Sequence, residues 1–260
     1  MLTTSAAYRS VVRDLDRSLG VVARRPEIRR EAAYYLAHIR EAKSVDAFLK
    51  DDRLYTFAMS AYGLKDMLYA KAFMRKVLSE GVDGAKSFAV QLADPRFREF
   101  AEAFNFARYG ATATVFDRAQ QGAVDRYVRI ALETDAGRQD EGVRLALYFQ
   151  RKAPSVTTAY GLLADAAVYK VVQTALQIPP AASASDIDKH AAFIAAKINV
   201  EDFKDPDKLS RFISRFTALW QAGNANAQGQ APQIGLVQPL LTTISNSAML
   251  LLQSLRIGGR

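Results

Sequence analysis

The sequence predicts an all-α protein, a multi-helix bundle built from two pseudo-repeated helical halves. Three observations predict it. Apolar residues recur at i, i+3, i+4 and i+7 in one segment after another, with no sustained alternation of the kind a strand needs. Capping residues stand directly before those segments, including an Asp-Pro pair that occurs twice. The same devices then return in the second half of the chain.

Taken in order, Thr4 or Ser5 is expected to cap a first helix reaching about Val22, with Val11, Val12, Leu15, Leu19 and Val22 on one side. Arg13, Asp14, Asp16 and Arg17 stand at helical spacings that allow mutual ion pairing. Pro26 opens a second helix, whose Ile28, Ala32, Tyr35, Leu36 and Ile39 form its apolar stripe. Ser44 caps the short VDAFLK segment, and Asp51-Asp52 cap RLYTFAMSAY. MLYAKAFMRKVL, from Met67, runs to a glycine stop at Glu80-Gly81. SFAVQL leads into DPRFREFAEAFNF, the most clearly specified stretch. There Asp94 is the N-cap and Pro95 takes the first helical position, where a missing N–H costs nothing. Phe97, Phe100, Ala101 and Phe104 lie on one face and are expected to be buried.

Tyr109-Gly110 breaks the chain before a long helix from about Val115 to Glu133. Asp140 opens GVRLALYFQRK, which stops before Pro154 because a residue preceding proline avoids the α region. Ser155 is expected to cap the next helix, Pro179 to Ser185 to form a loop, and Ser185 to cap DIDKHAAFIAAKI. Asp205-Pro206 repeats the cap, and Leu209, Phe212, Ile213 and Phe216 repeat the buried stripe. AYGL occurs at Ala61 and again at Ala159, 98 residues on, while the shared Phe stripe recurs after 112, from Phe100 to Phe212. An internal duplication accounts for both, with Tyr62 to Phe104 expected to match Tyr160 to Phe216. The organisation is then an N-terminal helical pair over 1–44 and repeats over 45–135 and 136–222. A small, polar, uncharged linker follows over 223–235, and an apolar helix over 236–260. In that last segment Leu240, Ile244, Leu251, Leu252 and Leu255 fall on a helical stripe too apolar to stay exposed. It is expected to pack across a subunit boundary, either in self-association or against a partner.

The chain carries +8 at neutral pH, with a pI near 9.6, and the excess is concentrated in the first thirty residues. Arg24, Arg25, Arg29 and Arg30 are the residues through which it would bind nucleic acid. No recognisable nucleic-acid module accompanies them, so a solvated basic face is expected instead. Cysteine is absent, which removes disulfides, a thiol nucleophile and thiolate metal sites. No apolar run is long enough to span a membrane. The first residues lack the apolar core of a secretory signal, so synthesis in the cytoplasm is expected. The two histidines, His38 and His190, lie far apart and are expected to be surface or satisfied core residues. Phosphate-cradling loops, dinucleotide fingerprints, zinc-binding His-Glu-x-x-His and nucleophile elbows do not occur. No catalytic, metal-binding or cofactor-binding residue is identified, and neither a cofactor nor a small-molecule ligand is expected.

REAAYYLAHI, KSVDAFLKDDRLYTFAM, AYGLKDMLYAKAFMRKVL and SFAVQLADPRFREFAEAFNF together resemble an alphaproteobacterial family of unknown function whose members are often encoded among flagellar genes. The resemblance covers Arg30 to Phe106 closely and the second half more loosely. It implies a non-enzymatic accessory or structural role near the flagellum, exercised through protein–protein contacts, and it transfers no site residue. NSAMLLLQSLR is similar to the terminal apolar helices of flagellar axial proteins, which pack against neighbouring subunits.

Overall fold

The computed structural model describes residues 2–179 and 186–229, and among them there are helices, turns and no strand. The helices are α1 (Thr4–Val12), α2 (Leu15–Ala23), α3 (Pro26–His38), α4 (Val45–Lys50) and α5 (Asp52–Ala61). Next come α6 (Lys71–Glu80), α7 (Phe88–Gln91), α8 (Pro95–Ala103), α9 (Phe106–Tyr109) and α10 (Gln121–Gln139). The series ends with α11 (Glu141–Lys152), α12 (Ala159–Ala164), α13 (Ala166–Ala175), α14 (Ile187–Lys197) and α15 (Pro206–Gly229).

Local chemistry sets most of the starts. Ser44, Asp51, Asp94, Asp140 and Asp165 each accept a backbone N–H from the first turn of the helix that follows. Asp205 does the same for α15, accepting from the N–H groups of Asp207 and Lys208. Gly81 ends α6 at φ +62°, where a Cβ would meet Asn105 Oδ1 at 2.7 Å, so the glycine stop has both a conformational and a steric reason.

Several boundaries differ from the sequence reading. Thr3, not Thr4 or Ser5, caps α1, and the first helix breaks at Asp14, whose side chain accepts from Arg17 N–H and starts α2. Capping thus outweighs the ion pairing that Asp14 would make in a continuous helix. Residues after Gly110 form two 3-10 turns, and the long helix begins only at Gln121. Thr158 rather than Ser155 caps α12, and Asp186 rather than Ser185 caps α14. Gly223 does not end α15, which runs on to Gly229 through part of the expected linker. Residues 230–260, and with them Leu240, Ile244, Leu251, Leu252 and Leu255, lie outside the described residues.

Residues 1–221 form one compact unit that holds two hydrophobic cores. The first runs from Val22 to Leu132 and is dense in rings. Phe48, Phe100 and Phe104 meet at centroid distances of 4.9–6.3 Å, with Tyr62 edge-on to the last two. The second gathers Tyr8 and residues from Val143 to Phe216 and is mostly aliphatic, with Phe149 and Phe203 in edge contact at 5.2 Å. Phe97, Phe100, Phe104 and Phe216 are buried as expected, whereas Phe212 is only half-buried.

The elements of the two halves pair in a register the AYGL letters do not give. Ala61–Leu64 closes α5, whereas Ala159–Leu162 lies within α12, so the two copies occupy different elements. The element lengths match instead at an offset of 114 residues. Six-residue α4 and α12 carry hydroxyl caps at Ser44 and Thr158, and ten-residue α5 and α13 carry Asp51 and Asp165. Tyr34 donates to Asp51 and Tyr148 to Asp165, each across 17 residues. Gly63 and Gln177 then both take positive φ.

Candidate functional site

Three helices turn charged faces toward one cleft of about 380 Å³. On α8, Arg96 and Glu99 are three residues apart. On α10, Arg126 and Glu133 are seven apart, with Arg129 between them. On α11, Arg144, Tyr148 and Arg151 follow at i, i+4 and i+7, with Lys152 beside them. Helical spacing therefore places each set on one side of its helix. The N-capping residues Asp94 and Asp165 bring two more carboxylates to the same place.

Almost every charge in the cleft is committed to another. Glu99 accepts from Arg126 at 3.1 Å and also from Lys152. Glu133, the most deeply buried carboxylate, accepts from both Arg151 nitrogens at 2.8 and 2.9 Å and from Arg129 at 3.2 Å. Arg129 also donates to the carbonyl of Leu147 at 3.1 Å. Asp94 holds Arg96 in a fork of 2.7–3.1 Å, and Arg96 reaches across to the carbonyl of Gly63. Asp165 accepts from Tyr148 at 2.6 Å while capping α13. Arg126 lies 4.8 Å over the Tyr62 ring and Arg151 4.9 Å over Tyr148.

The electrostatics follow from this pairing. The Asp94 hydrogen bond holds Arg96 above its ordinary pKa, and the Glu141 hydrogen bond does the same for Arg144. Burial works against the charge on Arg151, but its bonds to Glu133 outweigh that and raise it. Lys152 goes the other way, lowered chiefly by burial despite Glu99. Burial pushes Tyr62 up to about 12, and burial together with Asp165 raises Tyr148 further. The arrangement is a network of paired charges. It ties the second half to the first as an electrostatic seam, and its carboxylates are engaged by guanidinium, ammonium or phenol groups. Among the described residues, no group of three or more His, Cys, Asp or Glu is placed to hold a metal ion.

The residues singled out in the sequence lie elsewhere. Arg24, Arg29 and Arg30 are exposed at the α2–α3 corner, and Arg25 is half-buried in an ion pair with Asp135 of α10. His38 stacks on Tyr34 at 4.1 Å with Nδ1 2.8 Å from the Tyr34 carbonyl, and buried His190 meets Tyr169 OH at 3.1 Å. Both histidines are satisfied structural residues. The cleft was not visible in the sequence because its bonds join residues up to 53 positions apart, as Glu99 and Lys152 do. The signals that bear on it are the recurring Tyr-to-Asp spacing of 17 and the i, i+4 pair of Arg129 with Glu133. No helix of the described residues is long and apolar enough to cross a membrane.

Comparison with known proteins bears on kinship. A family model described as a protein of unknown function, DUF1217, matches residues 61–209, more than half of the chain and further into the second half than the close resemblance over Arg30 to Phe106. The chain is also similar to a protein from the alphaproteobacterium Agrobacterium tumefaciens whose X-ray structure came from structural genomics. The two are 43% identical, over 85% of this chain and 94% of that one, with a TM-score of 0.81. No curated protein matches.

Proposed function

We propose, from the premise that this chain belongs to the DUF1217 family of proteins of unknown function, that it is a non-enzymatic accessory or structural protein of the flagellum acting through protein–protein contacts. The flagellar part of this reading rests on the resemblance over Arg30 to Phe106. The observation that supports the non-enzymatic part is the state of the charged cleft. Its carboxylates serve as salt-bridge partners and helix caps, which uses the groups a hydrolytic or proton-transfer reaction would need. We also infer that the halves are copies of one ancestral unit, in the register that pairs Tyr34–Leu64 with Tyr148–Ile178. Superposing those two segments tests this, and unrelated chain paths would reject it.

The functional test is affinity purification of the tagged chain from a flagellated alphaproteobacterium at physiological salt, with a parallel retention assay on mixed DNA and RNA. Flagellar proteins enriched over an untagged control are the expected result. Retention on nucleic acid that disappears steeply with salt, and with Arg24, Arg29 and Arg30 changed to Ala, would favour the competing nucleic-acid reading.

A further inference from the structure

The second half carries a groove of about 410 Å³ between the end of α13, the segment after α14 and the first turns of α15. Its floor is apolar, made by Leu176, Ile198, Phe203 and Phe212. Phe212 is fixed as a half-buried platform, stacked on Phe149 at 5.4 Å and edge-on to Phe203 at 5.1 Å. Four exposed cations stand over that floor: Lys197, Lys208, Arg211 and Arg215. Lys208, Arg211 and Arg215 follow at i, i+3 and i+7 and so share one face of α15. The lining holds a single carboxylate, Asp202, and Lys208 engages it at 2.6 Å. Lys197, Arg211 and Arg215 have no hydrogen-bond or ion-pair partner among the described residues.

The groove sets cations over an apolar floor, so the complementary group is a carboxylate beside an apolar side chain. Asp205 feels the charge of Arg211 but forms no ion pair with it. Residues 222–260 contain no Asp or Glu, and the exposed arginines of the α2–α3 corner carry the same sign as the groove.

We propose that this groove docks an acidic amphipathic segment of another protein. Its carboxylates pair with Lys197, Arg211 and Arg215, and an apolar side chain seats on Phe212. The inference deepens the protein-contact reading and rests on it. The apolar floor favours a peptide over a phosphate backbone, which would satisfy the cations and leave Phe212 uncovered.

The test is an anisotropy titration of the full chain with a fluorescein-labelled helical peptide bearing Glu on one face and Leu on the other. Its Glu→Gln counterpart and a poly-dT oligonucleotide of equal charge are run beside it. The Glu peptide is expected to bind, the Gln peptide not to, and Arg211→Glu with Arg215→Glu to weaken binding about tenfold or more at an unchanged melting temperature. If that double variant melts early, Arg211→Gln with Arg215→Gln gives the same comparison without charge reversal. No binding of the Glu peptide, equal binding by the variant, equal binding of the Gln peptide, or displacement of the peptide by poly-dT would each overturn the proposal. A flagellar partner captured equally well by the variant would overturn the groove and leave the protein-contact reading standing. Groove-dependent peptide binding with no flagellar partner captured would do the reverse.

Discussion

The cleft between the two halves and the groove within the second half are of similar size, yet the first is filled with charge pairs and the second is lined by cations over an apolar floor. In the cleft Glu99 and Glu133 each gather two cations. In the groove Lys197, Arg211 and Arg215 have no hydrogen-bond or ion-pair partner among the described residues. Phe100 of α8 is fully buried, while Phe212 on the floor of the groove is half-buried. The two concavities differ in the distribution of charge rather than in size.

The largest expected effect separates the two aromatic positions. Phe100→Ala should cost about 3–5 kcal/mol, as truncating a core ring does. Phe212→Ala, already half in solvent, should cost roughly 1–2 kcal/mol. Urea unfolding of both variants checks this, and equal losses would erase the distinction between a covered and an open stripe. Next comes the seam. Glu133→Gln strips the charge from a carboxylate that neutralises Arg129 and Arg151 at side-chain exposures of 11% and 21%, and should cost about 3 kcal/mol. A loss within ordinary surface values would mean the cleft is solvated and its charges do not hold the halves together.

A smaller effect is alkaline. Tyr62 lies at the cleft where the groove has Leu176, and its phenol is pushed up to about 12 by burial. The folded protein keeps that proton while the unfolded chain loses it near 10, so the unfolded state binds fewer protons in that window. Stability therefore falls as pH rises from 10 to 12, by about 1.4 kcal/mol per pH unit for this group. Tyr8 and Tyr55, also near 12, add to the slope. Tyr62→Phe should make the pH dependence of unfolding shallower, and an unchanged slope would show that Tyr62 ionises in the native state.

Much of the fold was legible because helix starts and buried stripes are local. Ser44, Asp51, Asp94, Asp140 and Asp205 cap where the sequence placed them, and Phe97, Phe100 and Phe104 are core. Errors arose where two local signals competed. Asp14 reads as an ion-pair partner in a continuous helix but serves as a cap, and the small polar stretch from Gly223 reads as a linker although α15 runs through its first residues. The AYGL letters misled because identical residues close α5 in one half and build α12 in the other. The charged cleft stayed hidden for a different reason. An arginine or a glutamate has the same local signature whether it faces water or a partner brought from another helix, and tertiary packing alone brings Lys152 to Glu99.

The most direct test of the contrast is hydrogen–deuterium exchange of the full chain with and without the Glu/Leu peptide. Added protection is predicted in the first turns of α15 and around Leu176 and Ile198, with the cleft segments of α8 and α11 unchanged. Protection appearing in α8 and α11 while the start of α15 exchanges as before would show that the sealed cleft, and not the open groove, is where this protein meets its partner.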